Sequence, residues 1–268
     1  MNGAPSPASL FDLTGREALV TGAAGRLGSA FARALAGAGA HVWLAGRTAA
    51  RLDALAAELS STPGGATPLL LDVTRPEDIR AAARTVAQRT ERLDVLVSNA
   101  HQPRSAAFSD VSADDFARAA SSAAGAAHEL ILAFRPLLRR PGAEPASSVI
   151  TIASMYAAVS PDPRIYEPES SQNPADYGAA KAGLAQYTRH AAVHLAAEGI
   201  RVNSISPGPF PDEDAADPAF LERLRDKVPL ARLGAPDELA TAVLFLASPH
   251  SGFVTGVDVP VDGGWTAW

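Results

Sequence analysis

Tyr177 and Lys181 stand four residues apart in the run Tyr177-Gly178-Ala179-Ala180-Lys181, which begins 23 residues after Ser154. In a helix that spacing puts a phenol and an ammonium on one face. A free phenol titrates near ~10, too high for useful proton transfer at neutral pH. A lysine charge about 4 Å away, at an effective dielectric of about 20, is worth roughly 4 kcal/mol, or roughly 3 pKa units. The spacing therefore predicts a tyrosine acid/base brought toward the working range by its lysine. Both residue types also populate solvated helix faces, so the pair gains meaning only from what else the chain carries.

What else it carries is a nucleotide-binding signature at the other end. Residues 17–21 (EALVT) read as a short apolar strand, followed by Gly22-Ala23-Ala24-Gly25-Arg26-Leu27-Gly28 and an apolar-rich helix through about Gly39. Strand, glycine turn and helix are the context of a dinucleotide site, since glycines admit the pyrophosphate and the helix amino terminus faces its charge. A second strand, His41 to Ala45, ends in Gly46-Arg47-Thr48. An acidic residue at that place would hold a ribose 2′-hydroxyl. Here it is Gly46, and Arg47 or Arg26 could fork onto a 2′-phosphate instead. The reading favours NADP(H) over NAD(H).

Leu69 to Val73 reads as a third strand carrying Asp72, Asp94 to Ser98 as a fourth running into Asn99-Ala100, and Ser147 to Ala153 as a fifth delivering Ser154. A long helix is expected from Ala175 to about Gly199, then a strand from Arg201 to Ser206 ending in Pro207-Gly208. Helices at Glu213–Val228 and Pro236–Ala247 follow, with a last strand within residues 254–264. This alternation predicts an α/β fold, one Rossmann-like doubly wound parallel sheet flanked by helices, spanning residues 15–268. Residues 1–14 read as a flexible arm.

Acidic residues outnumber basic ones, 29 to 23, so nothing points to nucleic acid or an anionic membrane as a partner. No apolar run approaches bilayer-spanning length. There is no cysteine, which excludes disulfides and thiolate chemistry. The expectation is a cytoplasmic protein acting on a small molecule. His190 and His194 have the i, i+4 spacing of a metal pair, but no third ligand is evident, so no metal is expected.

Together these motifs make the chain resemble the short-chain dehydrogenase/reductase family over essentially residues 10–265. The resemblance rests on Thr21-Gly22-x-x-Gly25-x-x-Gly28, Asp72-Val73, Ser98-Asn99-Ala100, Ser154, Tyr177-x-x-x-Lys181, Asn203-x-x-x-Pro207-Gly208 and Asp262-Gly263-Gly264, in that order. It implies that Tyr177 is the acid/base, that Ser154 orients the substrate oxygen, and that Lys181 tunes the tyrosine and binds the nicotinamide ribose. It further implies that Gly22, Gly25, Arg26, Leu27 and Gly28 cradle the cofactor. Asp72 and Val73 would flank its adenine, Asn99 and Ala100 its adenosine ribose, and Pro207 and Gly208 its nicotinamide. A dimer or tetramer is implied as well.

Three features depart from the family pattern. The glycine spacing is that of its extended branch, with Arg26 where the compact branch has a glycine, which leaves epimerase- or dehydratase-type chemistry as an alternative. A central-helix asparagine that supports a proton relay falls on Ala123 by alignment, which raises the further alternative of a catalytically weakened nucleotide binder. The segment 159–176 is longer than usual and is expected to form a lid or substrate wall. Its Ile165-Tyr166-Glu167 run is similar to a loop in bacterial relatives linked to surface-sugar modification, which hints at a polar, hydroxylated substrate.

Overall fold

The computed structural model describes residues 6, 9–102, 104–142 and 146–268. Seven parallel strands lie in the order β3-β2-β1-β4-β5-β6-β7: β1 Glu17–Thr21, β2 His41–Gly46, β3 Ala66–Leu70, β4 Val95–Ser98, β5 Ser147–Ile152, β6 Ile200–Pro207 and β7 Asp258–Val261. The chain builds outward from β1 in one direction and then restarts beside it with β4, so the order reverses between those two strands. Their carboxyl ends therefore open a crevice at the switch point, where such sheets collect ligands.

Strand side chains alternate between two cores. Ala18 and Val20 of β1 pack with Phe31 and Leu35 of α1 (Arg26–Gly37) and Val243 and Leu246 of α8 (Glu238–Ala247). Leu19, between them, packs on the opposite face with Ile79 of α3 (Pro76–Ala87) and with Leu130 and Phe134 of α5 (Ala126–Leu138). The period of two is that of a strand buried on both faces. Each fully buried Leu or Phe contributes about 1.5–3 kcal/mol. Helix α2 (Ala49–Leu59) joins the first core, and α4 (Ala113–Ala120) runs into α5 through a π turn at Ser121–Gly125.

Several boundaries differ from those expected. The third strand is Ala66–Leu70, not Leu69–Val73, because β2 pairs with it from Val42↔Ala66 to Gly46↔Leu70. As an edge strand it tolerates Pro68 and exposes Leu70, so its apolar run misplaced it by three residues. Asp72 and Val73 thus lie in the loop beyond it. The long helix α6 is Ala175–Leu195 and closes through a tight turn to Gly199, whose φ of 69° is left-handed. Helix α7 (Pro218–Lys227) begins later than expected, where the Asp217 carboxylate caps Ala219 and Phe220 N–H.

Of the expected arm, residues 1–5, 7 and 8 lie outside the described residues. From Ser9 onward the chain is docked: Leu13 is buried, its N–H donates to Ala38 O at 2.8 Å, and Ser248 Oγ donates to Leu10 O at 2.5 Å.

Candidate active site

Three glycines form the amino-terminal side of the crevice by letting main chain come close. Gly22 has φ +63°, and a Cβ there would meet Ala100 Cα at 3.0 Å and Asn99 Nδ2 at 3.1 Å. At Gly28 it would lie 2.1 Å from Gly22 O, which no side chain could relieve. Gly25 caps α1 without a side-chain hydrogen bond, so the first amides of that helix, at Arg26, Leu27 and Gly28, point into the crevice without side-chain partners. The opposite wall is tied down by Thr21, whose Oγ1 accepts from Asn99 N at 2.9 Å and Ala100 N at 3.0 Å. Asn99 Nδ2 in turn donates to Thr21 O at 2.8 Å. This cradle fits a dinucleotide, with the glycine turn for the pyrophosphate. The Asn99 side chain itself staples β4 to β1.

The two expected phosphate-binding arginines differ. Arg26 reaches across the crevice mouth to Asp212 at 3.5 Å, both side chains being exposed. Arg47 is exposed after β2, and its charge helps hold the Asp72 carboxyl below the usual range, behind the Thr74 hydrogen bonds that contribute most. Pro207 is buried at the end of β6, and Gly208 is needed next to it: a Cβ there would sit 2.5 Å from Asp262 Cα.

The other side is built by buried polar groups. Gly178 lies with its Cβ direction 3.2 Å from Tyr156 O, so α6 rests close on the turn after β5 and brings Tyr177 beside Ser154. Thr151 and Thr188 hydroxyls pair at 2.7 Å and fix α6 to β5. Ser154 is buried, and its Oγ accepts the Tyr156 N–H at 3.1 Å. Lys181 is 6% exposed, with Nζ donating to Ile152 O at 2.7 Å and lying 5.8 Å from the Tyr177 ring centroid.

The expected acidification of the phenol is not what this arrangement gives. Burial pushes Tyr177 up from its ordinary value, with Ser154 working against the shift and Tyr166 adding to it. Burial also pushes Lys181 down, to about 8. The physical reason is that Nζ is spent on a carbonyl and stands off the phenol, so desolvation of both groups outweighs their mutual attraction.

Tyr177 and Lys181 line a cavity of about 730 Å³ together with Val73, His101, Arg104, Asp176 and the π-turn residues Ser121 to Ala123. Ser154 is not part of that lining but stands beside Tyr177, to whose phenol it hydrogen-bonds. Ala123, the aligned position of the missing asparagine, therefore does face the lysine's cavity. His101, which the sequence alone leaves between a pocket-lining residue and an ordinary loop position, has its ring 5.0 Å from that of Tyr177. Its place directly after Asn99-Ala100, at the mouth of the switch point, was the available signal.

Part of the segment 159–176 is packed into the fold, and its Pro174 and Asp176 reach the cavity. Ile165 and Tyr166 are buried with Tyr156, Leu221, Leu224 and Trp265 in a third core, and the Tyr156 and Tyr166 hydroxyls meet at 2.6 Å. Arg223 Nε of α7 donates to Ile165 O at 2.8 Å. His190 and His194 are exposed on α6 with rings stacked at 4.0 Å. Among the described residues no group of three or more metal-ligating side chains occurs, and no helix is long and apolar enough to cross a membrane.

A family model described as Enoyl-(Acyl carrier protein) reductase matches residues 22–266. Galactitol 2-dehydrogenase (L-tagatose-forming) of Cereibacter sphaeroides is 34% identical over 264 residues, which cover 97% of this chain and 98% of that protein. The Pseudomonas aeruginosa RhlG/NADP active-site complex is similar in structure, with a TM-score of 0.87 and 32% identity over 96% of this chain and 99% of that one. A short-chain type dehydrogenase/reductase from Mycobacterium marinum gives a TM-score of 0.86 at 32% identity, over 98% and 100%. With its parallel doubly wound sheet and these relatives along nearly its whole length, the chain belongs to the short-chain dehydrogenase/reductase family of NAD(P)-dependent oxidoreductases.

Proposed function

We propose that this chain interconverts a ketone and a secondary alcohol on a small polar substrate, with NADP(H) preferred over NAD(H). The observation that carries the reading is the Tyr177 phenol beside buried Ser154, with Tyr177 and the buried Lys181 ammonium lining one cavity. When bound, the nicotinamide supplies or accepts the hydride. Ser154 holds the substrate oxygen, and Tyr177 gives it a proton in reduction or takes one in oxidation. Burial keeps the phenol protonated at neutral pH, the form that reduction consumes. Lys181 hydrogen-bonds the nicotinamide ribose and, mostly charged below about 8, lowers the cost of the tyrosinate that is left.

Preference for the phosphorylated cofactor is supported by Gly46 in the place of an acidic residue, by exposed Arg47, and by the NADP complex of the similar Pseudomonas protein. The similarity to a galactitol dehydrogenase supports a polar, hydroxylated substrate. Exposed Phe253, Val193 and Trp268 support assembly into a dimer or tetramer. A cytoplasmic location completes the reading.

The test follows NADPH and NADH absorbance against a panel of ketones and keto-sugars. Wild type consumes NADPH faster than NADH, and Tyr177→Phe loses at least about 100-fold in kcat while still binding cofactor. Arg47→Asp shifts selectivity toward NADH. Full activity in Tyr177→Phe would remove the tyrosine from its role; nucleotide binding without any reaction, or cofactor cycling without net consumption, would replace this reading with the weakened or the epimerase-type alternative.

A further inference from the structure

His101 stands at the site. The two residues before it are pinned to Thr21 Oγ1 through their amides, which sets where the chain leaves β4 toward it. Its ring is tilted 54° against that of Tyr177 at 5.0 Å and lines the same cavity. Among the described residues its ring nitrogens have no hydrogen-bond partner, and what acts on them is crowding first and the Lys181 charge second. Those two causes push the imidazole down to about 4; the side chain is exposed, and as an ordinary imidazole titrates near ~6.5 it is mostly neutral at working pH in either case.

The charges around it are already matched. Arg104 lies 2.9 Å from Asp115 of α4 and 3.3 Å from Asp176 of α6. Arg118 pairs with the same Asp115, Glu129 of α5 stands 4.0 Å from Arg80, and Lys181 is turned to Ile152 O. Among the described residues, the Arg104, Arg118 and Lys181 cations at this cavity are all engaged, so a carboxylate or phosphate on the substrate would have to displace an existing partner. A neutral imidazole offers one donor and one acceptor, the pattern that a hydroxyl complements and a carboxylate does not.

We propose that His101 is a specificity-determining residue whose imidazole hydrogen-bonds a hydroxyl on the carbon next to the reacting one. The substrate class is then neutral polyols and hydroxyketones with vicinal oxygens. The geometry that supports it is the imidazole standing beside the Tyr177 ring on the same cavity, within reach of an oxygen next to one held by Tyr177. This assignment rests on Tyr177 as the proton-transfer group.

The test compares oxidation of 2,3-butanediol, threitol and galactitol with that of 2-butanol, using NADP+ and NAD+. It uses wild type, His101→Phe, His101→Gln and Tyr177→Phe. Phenylalanine keeps a ring against Tyr177 but removes the donor and acceptor, whereas glutamine keeps both. Wild type is expected to favour the vicinal oxygens by at least about 100-fold in kcat/KM. His101→Phe brings the ratio below about 5, and His101→Gln recovers part of it. No preference in wild type, or a preference that survives in His101→Phe, overturns the assignment. If Tyr177→Phe is inactive in that case, the reading of Tyr177 stands alone. A Tyr177→Phe protein as active as wild type, or a wild type inert toward all four alcohols with both cofactors, overturns both.

Discussion

At the β1–α1 end of the crevice the shape is made by what is missing: Gly22 and Gly28 have no Cβ where one would meet main chain at 3.0 and 2.1 Å. At the β5–α6 end it is made by what is buried: Ser154, Lys181, Thr151 and Thr188 are polar side chains held away from water. The first end constrains backbone and hardly charge. The second carries a charge whose burial opposes folding, held by the Ile152 carbonyl and by packing of α6 on β5. The comparison shows a binding end fixed by sterics next to a reacting end that stores unfavourable electrostatics, the usual sign of a functional site.

The contrast can be broken first at Gly28. Gly28→Ala places a methyl 2.1 Å from Gly22 O, so the turn must open. Cofactor affinity should fall more than about 100-fold and stability by at least about 3 kcal/mol, read by cofactor titration and thermal unfolding. Unchanged binding would mean that the close approach does not set the pocket.

Lys181→Met tests the opposite end and should move stability the other way. A fall from 10.5 to about 8 on burial costs about 3 kcal/mol at pH 7. Leaving Ile152 O without its donor returns about 1 kcal/mol of that. The variant should therefore be inactive yet melt several degrees higher. The sign follows from the depressed value: the native lysine gives up its proton before the unfolded one does. Wild type thus regains stability as pH rises from about 8 to 10.5, and the gap to Lys181→Met closes. A lower melting temperature for the variant at pH 7 would remove the stored cost.

The smallest expected effect sharpens the boundary between site and wall. Tyr166→Phe leaves the buried Tyr156 hydroxyl without its 2.6 Å partner. It should cost about 1 kcal/mol, a drop of roughly 2–4 °C. Because Tyr166 does not line the cavity, kcat should change less than about twofold. A large fall in kcat would make residues 159–176 part of the reacting end.

The same contrast explains what could be read in advance. The glycine turn, β4 into Asn99-Ala100 and the Tyr177/Lys181 helix were legible, because main-chain approach and i, i+4 spacing are local properties. The third strand was misplaced because an edge strand buries only alternate residues, and Leu69 to Leu71 look apolar whether or not they pair. The ionisation of Tyr177 and Lys181 was not legible, since it depends on how many distant groups exclude water and on Ile152 O accepting a hydrogen bond from the lysine. His101 stayed undecided for a related reason: a single imidazole that could line a pocket or sit in a loop has meaning only once the Tyr177 ring is seen against it.

Ultraviolet difference titration of wild type against Tyr177→Phe isolates the ionisation on which the chemistry turns. If burial rules the reacting end, the tyrosinate signal belonging to Tyr177 appears above the ordinary value of 10.0. A signal rising between ~7 and ~9 would contradict it and return the site to a lysine-acidified phenol.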